Sequence, residues 1–182
     1  MKIPKKIVEI LKKGGVGVLP TDTIYGLVGS ALNKETVERI YKIKKRSTKK
    51  PFIILISCLK DLKIFGIKLK NFQKKIIKKF WPGPFSLVFE CKSKKFEYLH
   101  RGKRSLAFRI PKSKFLLSLL KKTGPLVAPS ANISNLPPSK NIKEAKKYFG
   151  KKVDFYFDGG TLNKKPSKII DIRNPKIKTL RR

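Results

Sequence analysis

Apolar and polar positions along the chain follow two patterns, one with the spacing of helices and one with that of buried strands. Apolar residues on one helical face predict amphipathic helices, and short continuous apolar runs predict strands that are covered on both sides. Helices are expected at residues 4–13, 34–45, 69–80, 112–122 and 141–149. Strands are expected at residues 16–19, 52–57, 85–91, 105–110 and 126–128, with further strands and turns after residue 153. This order predicts an α/β fold with a mixed sheet.

Glycine, proline and asparagine mark several of the predicted element ends. Gly14 and Gly15 are expected to stop the first helix, and Asn33 to cap the start of the second. The stretch Trp81-Pro82-Gly83-Pro84 is expected to end the third helix, with Trp81 packing beneath it. The basic stretch 92–104 is expected to be a mobile connection, and its His100 to be solvated.

Length and composition indicate one globular domain spanning residues 1–182. A chain of 182 residues with 40% hydrophobic residues can bury a core of its own. No apolar run approaches the length of a membrane span, and the N-terminus lacks the apolar core of a secretory signal. Cys58 and Cys91 match no metal-binding spacing, so they are expected to be free thiols. These features predict a cytoplasmic protein.

The formal net charge of +35 would ordinarily suggest a nucleic-acid partner. Only eight of the 46 basic residues are arginine, the side chain that grips phosphate bidentately; the other 38 are lysine. So many lysines, accompanied by abundant Ile, Asn and Phe, are typical of codon bias in an AT-rich genome. Such a surface still attracts RNA in a salt-dependent way, but the arginines are the more informative cations.

Several common catalytic arrangements are missing from the sequence. It contains no Walker A loop, no dinucleotide-binding glycine fingerprint and no HExxH motif. The single histidine, His100, lies in the basic connection and argues against serine-triad chemistry. The 11 acidic residues are mostly far from candidate loops and give little support to a paired-carboxylate mechanism.

Short polar segments instead follow the predicted strands, where α/β proteins place ligands. The segments are residues 19–28, 42–52, 108–111, 128–134, 166–172 and 179–182. Lys44, Arg46 and Arg109 supply positive charge suited to phosphate or carboxylate. The residues therefore indicate a site for an anionic, phosphate-bearing ligand, without an evident nucleophile.

Each segment also has a purely structural interpretation. Thr21 and Asp22 would cap a turn, Tyr25 would be a core ring, and Arg46 would lie at a solvated helix end. Residues 129–132, "PSAN", would form a proline turn. Taken singly, no segment decides between structure and function, and Asp22 in particular is open between capping the turn and orienting a neighbouring cation.

Together the segments resemble the YrdC-like threonylcarbamoyl-AMP synthases. The resemblance rests on "PTDTIYGL", on "KKR" ahead of a proline and an apolar strand, and on "FWPGP", "FRIP", "PSANIS" and "DGG…PSKIID", in this order. It spans roughly residues 5–181. It implies a single-domain twisted α/β fold with flanking helices and an open, positively charged cavity on the sheet.

The resemblance also implies a reaction and its site residues. L-threonine, bicarbonate and ATP would give threonylcarbamoyl-AMP and pyrophosphate, and partner proteins would transfer the threonylcarbamoyl group to tRNA beside the anticodon. Lys44 and Arg46 would hold triphosphate and carboxylate charge as the catalytic pair. The substrate-binding residues implied are Thr21, Thr23, Tyr25, Arg109, Ser130, Asn132, Ser167 and Arg181.

The residues and the implied reaction are chemically compatible. Carbamate formation and attack on the α-phosphate need positioning, charge neutralisation and Mg²⁺ rather than a protein nucleophile. Because acidic residues are sparse, Mg²⁺ is expected to be held by the phosphates, with no protein metal site. A non-catalytic RNA-binding or ribosome-maturation factor that uses the same basic surface is the alternative, favoured by net charge but not by the uncharged residues Thr23, Tyr25 and Asn132.

Overall fold

The computed structural model describes residues 3–181, which form one nine-stranded sheet with helices on both faces. The strands are β1 (Gly17–Pro20), β2 (Tyr25–Ser30), β3 (Ile53–Leu55), β4 (Phe85–Glu90), β5 (Ser105–Arg109), β6 (Leu126–Val127), β7 (Phe155–Tyr156), β8 (Lys168–Asp171) and β9 (Lys178–Arg181). The α-helices are α1 (Lys5–Lys12), α2 (Lys34–Lys44), α3 (Asn71–Phe80), α4 (Glu97–His100), α5 (Lys114–Thr123) and α6 (Ile142–Phe149). Short 3-10 helices cover Leu59–Phe65, Lys94–Phe96 and Gly150–Lys152.

The sheet is mixed, as the sequence predicts. Its strand order is β7-β1-β2-β6-β3-β5-β4-β8-β9. The pairs β1–β7, β3–β5 and β4–β8 are parallel, and the remaining pairs are antiparallel. In residues 3–181 no helix has the length and apolar character needed to cross a membrane.

The central strands are buried on both faces, which is why they appear in the sequence as continuous apolar runs. Successive side chains of a strand point to opposite faces of the sheet. Val18 accordingly packs in the larger core, while Leu19 packs in the smaller core. Ile54 and Leu55 divide in the same way. The larger core also holds the apolar faces of α2, α3 and α6, and the smaller core those of α1 and α5.

Helix positions and caps agree with the sequence patterns. The Asn33 side chain accepts a hydrogen bond from Thr36 N at 2.7 Å and caps α2 as expected. Ser113 and Asn141 cap α5 and α6 in the same way. Trp81 is buried below the end of α3, where its Nε1 donates to Phe85 O at 2.7 Å.

One strand, β2, was not expected from the sequence. It contains Gly26 and Gly29, and glycine ordinarily weakens a strand. Here the missing side chains allow close packing, since a Cβ at Gly29 would lie 2.4 Å from Thr36 Cγ2. Gly29 thus allows α2 to pack closely on the sheet, and β2 pairs antiparallel with β1.

The prediction for residues 92–104 was wrong. This segment contains the 3-10 helix Lys94–Phe96 and helix α4 rather than an irregular connection. Phe96 and Leu99 anchor it in the core, each with 3% of its surface exposed. His100 is also buried, with 4% exposed, and its Nε2 lies 3.3 Å from Ser93 O. The apolar residues, spaced three apart among charged ones, outweigh the polar composition.

Candidate active site

A cavity of about 260 Å³ lies where the predicted polar segments meet. The hairpin loop between β1 and β2 forms part of its wall, and the chain that follows α2 forms another part. The segments entering β8 and following β6, together with the last residue of β5, complete it. Eight of the ten predicted site residues line this cavity: Thr21, Thr23, Tyr25, Arg46, Arg109, Ser130, Ser167 and Arg181. The topology therefore brings together segments that are far apart in the sequence.

Three arginines give the cavity its positive charge. Burial lowers the pKa of Arg46, of Arg109 and of Arg181. Arg181 further lowers the pKa of Arg109, and Arg46 that of Arg181, because like charges disfavour one another. The described lining contains no Asp or Glu. An anion in the cavity would relieve this repulsion, so the electrostatics favour an anionic ligand.

Arg109 is held in place from the hairpin loop between β1 and β2. Its Nη2 lies 3.2 Å from Asp22 Oδ1, and its Nη1 donates to Thr23 Oγ1 at 2.9 Å. Asp22 Oδ2 also accepts a hydrogen bond from Lys112 N at 3.1 Å. Asp22 therefore orients a cation, one of the two roles that the sequence left open for it. Arg109 Nε is buried without a hydrogen-bond partner in residues 3–181.

The hairpin loop between β1 and β2 is both a capped turn and part of the cavity wall. Thr21 Oγ1 donates to Ile24 O at 2.6 Å and accepts from Thr23 N at 3.1 Å, which fixes the loop. Tyr25 is fully buried. Its hydroxyl donates to Gly160 O at 2.7 Å and accepts from Gly159 N at 2.9 Å. The ring of Tyr25 thus forms wall, while its hydroxyl holds the segment that leads to β8.

Lys44 does not line this cavity but an adjoining one, which shares Arg46 and Ser130 with it, so its contact with triphosphate stays a prediction. The side chain has 1% of its surface exposed. Its Nζ donates to Ser130 O at 2.5 Å, to Asn132 O at 2.7 Å and to Asn132 Oδ1 at 3.1 Å. These bonds use all three ammonium protons. Burial, assisted by the charge of Arg46, lowers the pKa of Lys44 to about 7.

Asn132 likewise lines the adjoining cavity and not the main one. Its Nδ2 donates to Ile133 O at 2.9 Å and to Leu136 O at 2.6 Å. Its Oδ1 accepts from Lys44 and from Ser130 Oγ. All its hydrogen-bonding capacity is therefore used by the loop itself and by Lys44 of α2. Lys44 and Asn132 together shape the loop that presents Ser130 to the cavity.

Ser167 and Arg181 close the cavity from the far edge of the sheet. Ser167 Oγ lies 2.9 Å from Ser86 Oγ. Arg181 Nη2 donates to Ser167 O at 2.7 Å, so the guanidinium folds back from β9 onto the segment preceding β8. Strand β9 pairs with β8, and this pairing places the last arginine of the described chain at the site.

Phe52 is a cavity-lining residue that sequence reasoning assigned only to a strand. It follows Pro51 directly after the basic segment, and that position was a signal that the ring would lie beside the cavity.

Among residues 3–181, no group of three or more His, Cys, Asp or Glu is arranged to hold a metal ion.

Known proteins resemble this chain along most of its length. The family model Sua5_yciO_yrdC, described as "Telomere recombination", matches residues 9–182. A protein of Methanocaldococcus jannaschii is 34% identical, and the alignment covers 97% of this chain and 86% of that protein. The threonylcarbamoyl-AMP synthase of Pyrococcus abyssi is 31% identical over 82% of this chain and 44% of its own length.

A solved structure extends the likeness to three dimensions. The crystal structure of P. abyssi Sua5 complexed with L-threonine has a TM-score of 0.91 and 29% sequence identity to this chain. The match covers 100% of this chain and 55% of that one. The chain thus spans about half the length of the P. abyssi protein and most of the length of the M. jannaschii relative.

Proposed function

The chain belongs to the Sua5/YciO/YrdC family, and from this membership we propose that it is an L-threonylcarbamoyladenylate synthase. Its substrates would be L-threonine, bicarbonate and ATP, and its products threonylcarbamoyl-AMP and pyrophosphate. The observation that carries the proposal is the cavity lined by Arg46, Arg109 and Arg181 beside the hydroxyl groups of Thr23 and Ser130. Such a site suits a ligand that combines several anionic groups with a small polar body.

The proposed reaction has two steps, neither of which needs a protein nucleophile. The amine nitrogen of threonine bonds to the carbon of bicarbonate, and water leaves to give a carbamate. A carbamate oxygen then bonds to the α-phosphorus of ATP while the bond from that phosphorus to the bridging oxygen breaks, releasing pyrophosphate. Negative charge accumulates on the leaving group, so fixed cations around it lower the barrier. Holding the reactants in line lowers the barrier further.

The positions of the arginines suggest how the work is divided. Arg46 and Arg181 would neutralise phosphate charge, and their mutual repulsion in the free protein would be relieved when ATP binds. Arg109, aimed by Asp22 and bonded to Thr23, would bind the carboxylate of threonine from its place in the cavity lining. The amino acid would then lie against the hairpin loop between β1 and β2.

The polar residues around the arginines would set the shape of the site. Tyr25 would contribute its ring to the threonine side of the cavity, and the hydroxyl groups of Ser130 and Ser167 would contact the nucleotide. Lys44 and Asn132 would act by holding the loop that carries Ser130. In this proposal Lys44 is a supporting residue.

Mg²⁺ would enter with ATP. The donor set does not fit a protein-held ion, because no carboxylate lines the described cavity and Asp22, in the adjoining loop, is paired with Arg109 and accepts a bond from Lys112 N. Coordination by phosphate oxygens and water is the arrangement Mg²⁺ commonly adopts with nucleotides. We further propose that the product passes in the cytoplasm to partner proteins that modify tRNA beside the anticodon.

Pyrophosphate release is the test of this function. Purified protein with ATP, bicarbonate and Mg²⁺ is expected to release pyrophosphate only when threonine is added. Arg46→Ala should lower kcat/KM on the order of a hundredfold, because one charge-stabilising group is removed. Lys6→Ala removes the same charge from the exposed surface of α1 and should change little.

Other outcomes would identify a different function. Threonine-independent turnover would contradict the proposal. So would absence of turnover combined with tight RNA binding, the behaviour expected of the RNA-binding alternative that the net charge of +35 favours. Equal losses from Arg46→Ala and Lys6→Ala would mean that bulk charge, and not a site, is responsible.

A further inference from the structure

Arg46 reaches the cavity without a carboxylate partner. The ion pairs found in residues 3–181 involve other side chains. Its Nε donates to Lys50 O at 3.3 Å, a long hydrogen bond. Its guanidinium carbon lies over the ring of Phe52, 5.5 Å from the centroid. The ring is therefore the main surface against which this arginine is placed.

Phe52 is in turn fixed by a second ring. Tyr41, from α2, stacks on it with centroids 4.0 Å apart and planes 22° from parallel. Both rings are buried, with 3% of their surface exposed. The Tyr41 hydroxyl donates to Lys50 O at 3.1 Å, the same oxygen that accepts from Arg46. Tyr41 thus contacts both groups against which Arg46 is placed, the ring of Phe52 and the carbonyl of Lys50.

A second arginine lies over Tyr41. The guanidinium carbon of Arg101 is 4.4 Å from the centroid of the Tyr41 ring. Its Nη2 is 2.8 Å from Glu38 Oε1, and Glu38 stands one helical turn before Tyr41 on α2. Arg101 follows α4 directly, in the left-handed conformation with φ of 51°. The folded segment 92–104 therefore places the Arg101 guanidinium against the ring of Tyr41.

We propose that Tyr41 and Arg101 are positioning residues for Arg46, acting through a stacked series that we call the Arg46 stack: Arg101, Tyr41, Phe52 and Arg46. Neither Tyr41 nor Arg101 lines the cavity. The pairing of Arg101 with Glu38 leaves Arg46 as the uncompensated cation of the stack. The stack replaces the carboxylate that would otherwise hold an active-site arginine, and it does so without adding negative charge where a phosphate must bind.

This inference rests on the proposed function only in taking the cavity as a phosphate site. Its test therefore uses the binding of inorganic pyrophosphate, measured by titration calorimetry without turnover. Tyr41→Leu, which keeps an apolar side chain but removes the ring, is expected to weaken binding roughly tenfold. Tyr41→Phe keeps the stacking face and should restore most of the affinity. Arg101→Ala should weaken binding several-fold, while Lys103→Ala, which removes an equal charge two residues away on the exposed surface, should not.

A double-mutant cycle separates positioning from a general loss of structure. If Tyr41 acts through Arg46, Tyr41→Leu will not weaken pyrophosphate binding further when Arg46 is already alanine. Additive losses would overturn the proposal, since they would mean that Tyr41 shapes the cavity independently. Equal affinities for Tyr41→Leu and the unmodified protein would also overturn it. Thermal unfolding of each variant verifies that the compared proteins are folded.

The same titrations distinguish this inference from the proposed function. Binding that depends on Arg46 but not on Tyr41 would overturn only the role of the stack. Failure of the unmodified protein to bind pyrophosphate in an Arg46-dependent way would overturn both. Binding that depends on both residues, in a protein with no threonine-dependent turnover, would support the stack and contradict the synthase function.

Discussion

Replacing Lys44 by methionine tests how this buried ammonium is held. The side chain is enclosed behind the loop that follows β6 and contacts three oxygens. Its pKa is lowered from an ordinary 10.5 to about 7, chiefly by burial. Methionine has a similar length but cannot titrate. The difference in unfolding free energy between the two proteins therefore isolates the proton on Lys44 from those on the other lysines.

The sign and size of the pH effect follow from this pKa. Between pH 7 and 10.5 the unfolded chain keeps the Lys44 proton while the folded chain releases it. Stability therefore rises with pH in this window. A shift of 3.5 pH units between these values corresponds to about 5 kcal/mol over the full window. Between roughly pH 6.5 and 9.5, the stability of the unmodified protein relative to Lys44→Met should increase by about 3 kcal/mol.

Urea denaturation of both proteins at several pH values measures this difference. Because the remaining basic residues titrate in both, their effect cancels. A stability difference that stays constant over the window would refute the reasoning. It would mean that the three oxygens stabilise the ammonium enough to offset its burial, so that Lys44 keeps an ordinary pKa.

Three other substitutions address the turn and the sheet around the cavity. Asp22→Asn removes the charge beside Arg109 and is expected to raise the KM for threonine roughly tenfold in steady-state kinetics, with little change for ATP; equal effects on both substrates would contradict the assignment. Tyr25→Phe removes the hydroxyl bonds to the segment before β8 and should lower the unfolding free energy by about 1–2 kcal/mol in urea; an unchanged value would show that this tether adds no stability. Gly29→Ala places a Cβ 2.4 Å from a methyl group of Thr36 and should cost about 1–3 kcal/mol, whereas a neutral result would show that α2 can shift.

The fold was predictable where local pattern and tertiary packing agree. Helices such as α2, with its Asn33 cap, follow from apolar spacing and capping chemistry alone. Strand β2 did not, because the suitability of Gly26 and Gly29 depends on what packs against them, and that partner lies elsewhere in the sequence. Helix α4 was missed because its few apolar residues are surrounded by lysines.

The site was predictable as a set of segments but not in its side-chain orientations. The sequence indicated that Arg46 and Arg109 would meet, and both line the cavity. The sequence did not show that the Lys44 side chain, two residues before Arg46, donates its hydrogen bonds to backbone oxygens of the loop after β6. The Arg46 stack could not be predicted from the sequence either, because Arg101 approaches Tyr41 from a segment 60 residues further along the chain.

Mass spectrometry of the adenylate formed from carbon-13 bicarbonate addresses the proposed chemistry most directly. The synthase reaction predicts a product that contains threonine, AMP and the labelled carbon, and that requires all three substrates. An unlabelled threonyl-adenylate would mean that the carboxylate of threonine attacks ATP, so that no carbamate forms. That result, or the absence of any adenylate from folded protein that binds ATP, would contradict the proposed function.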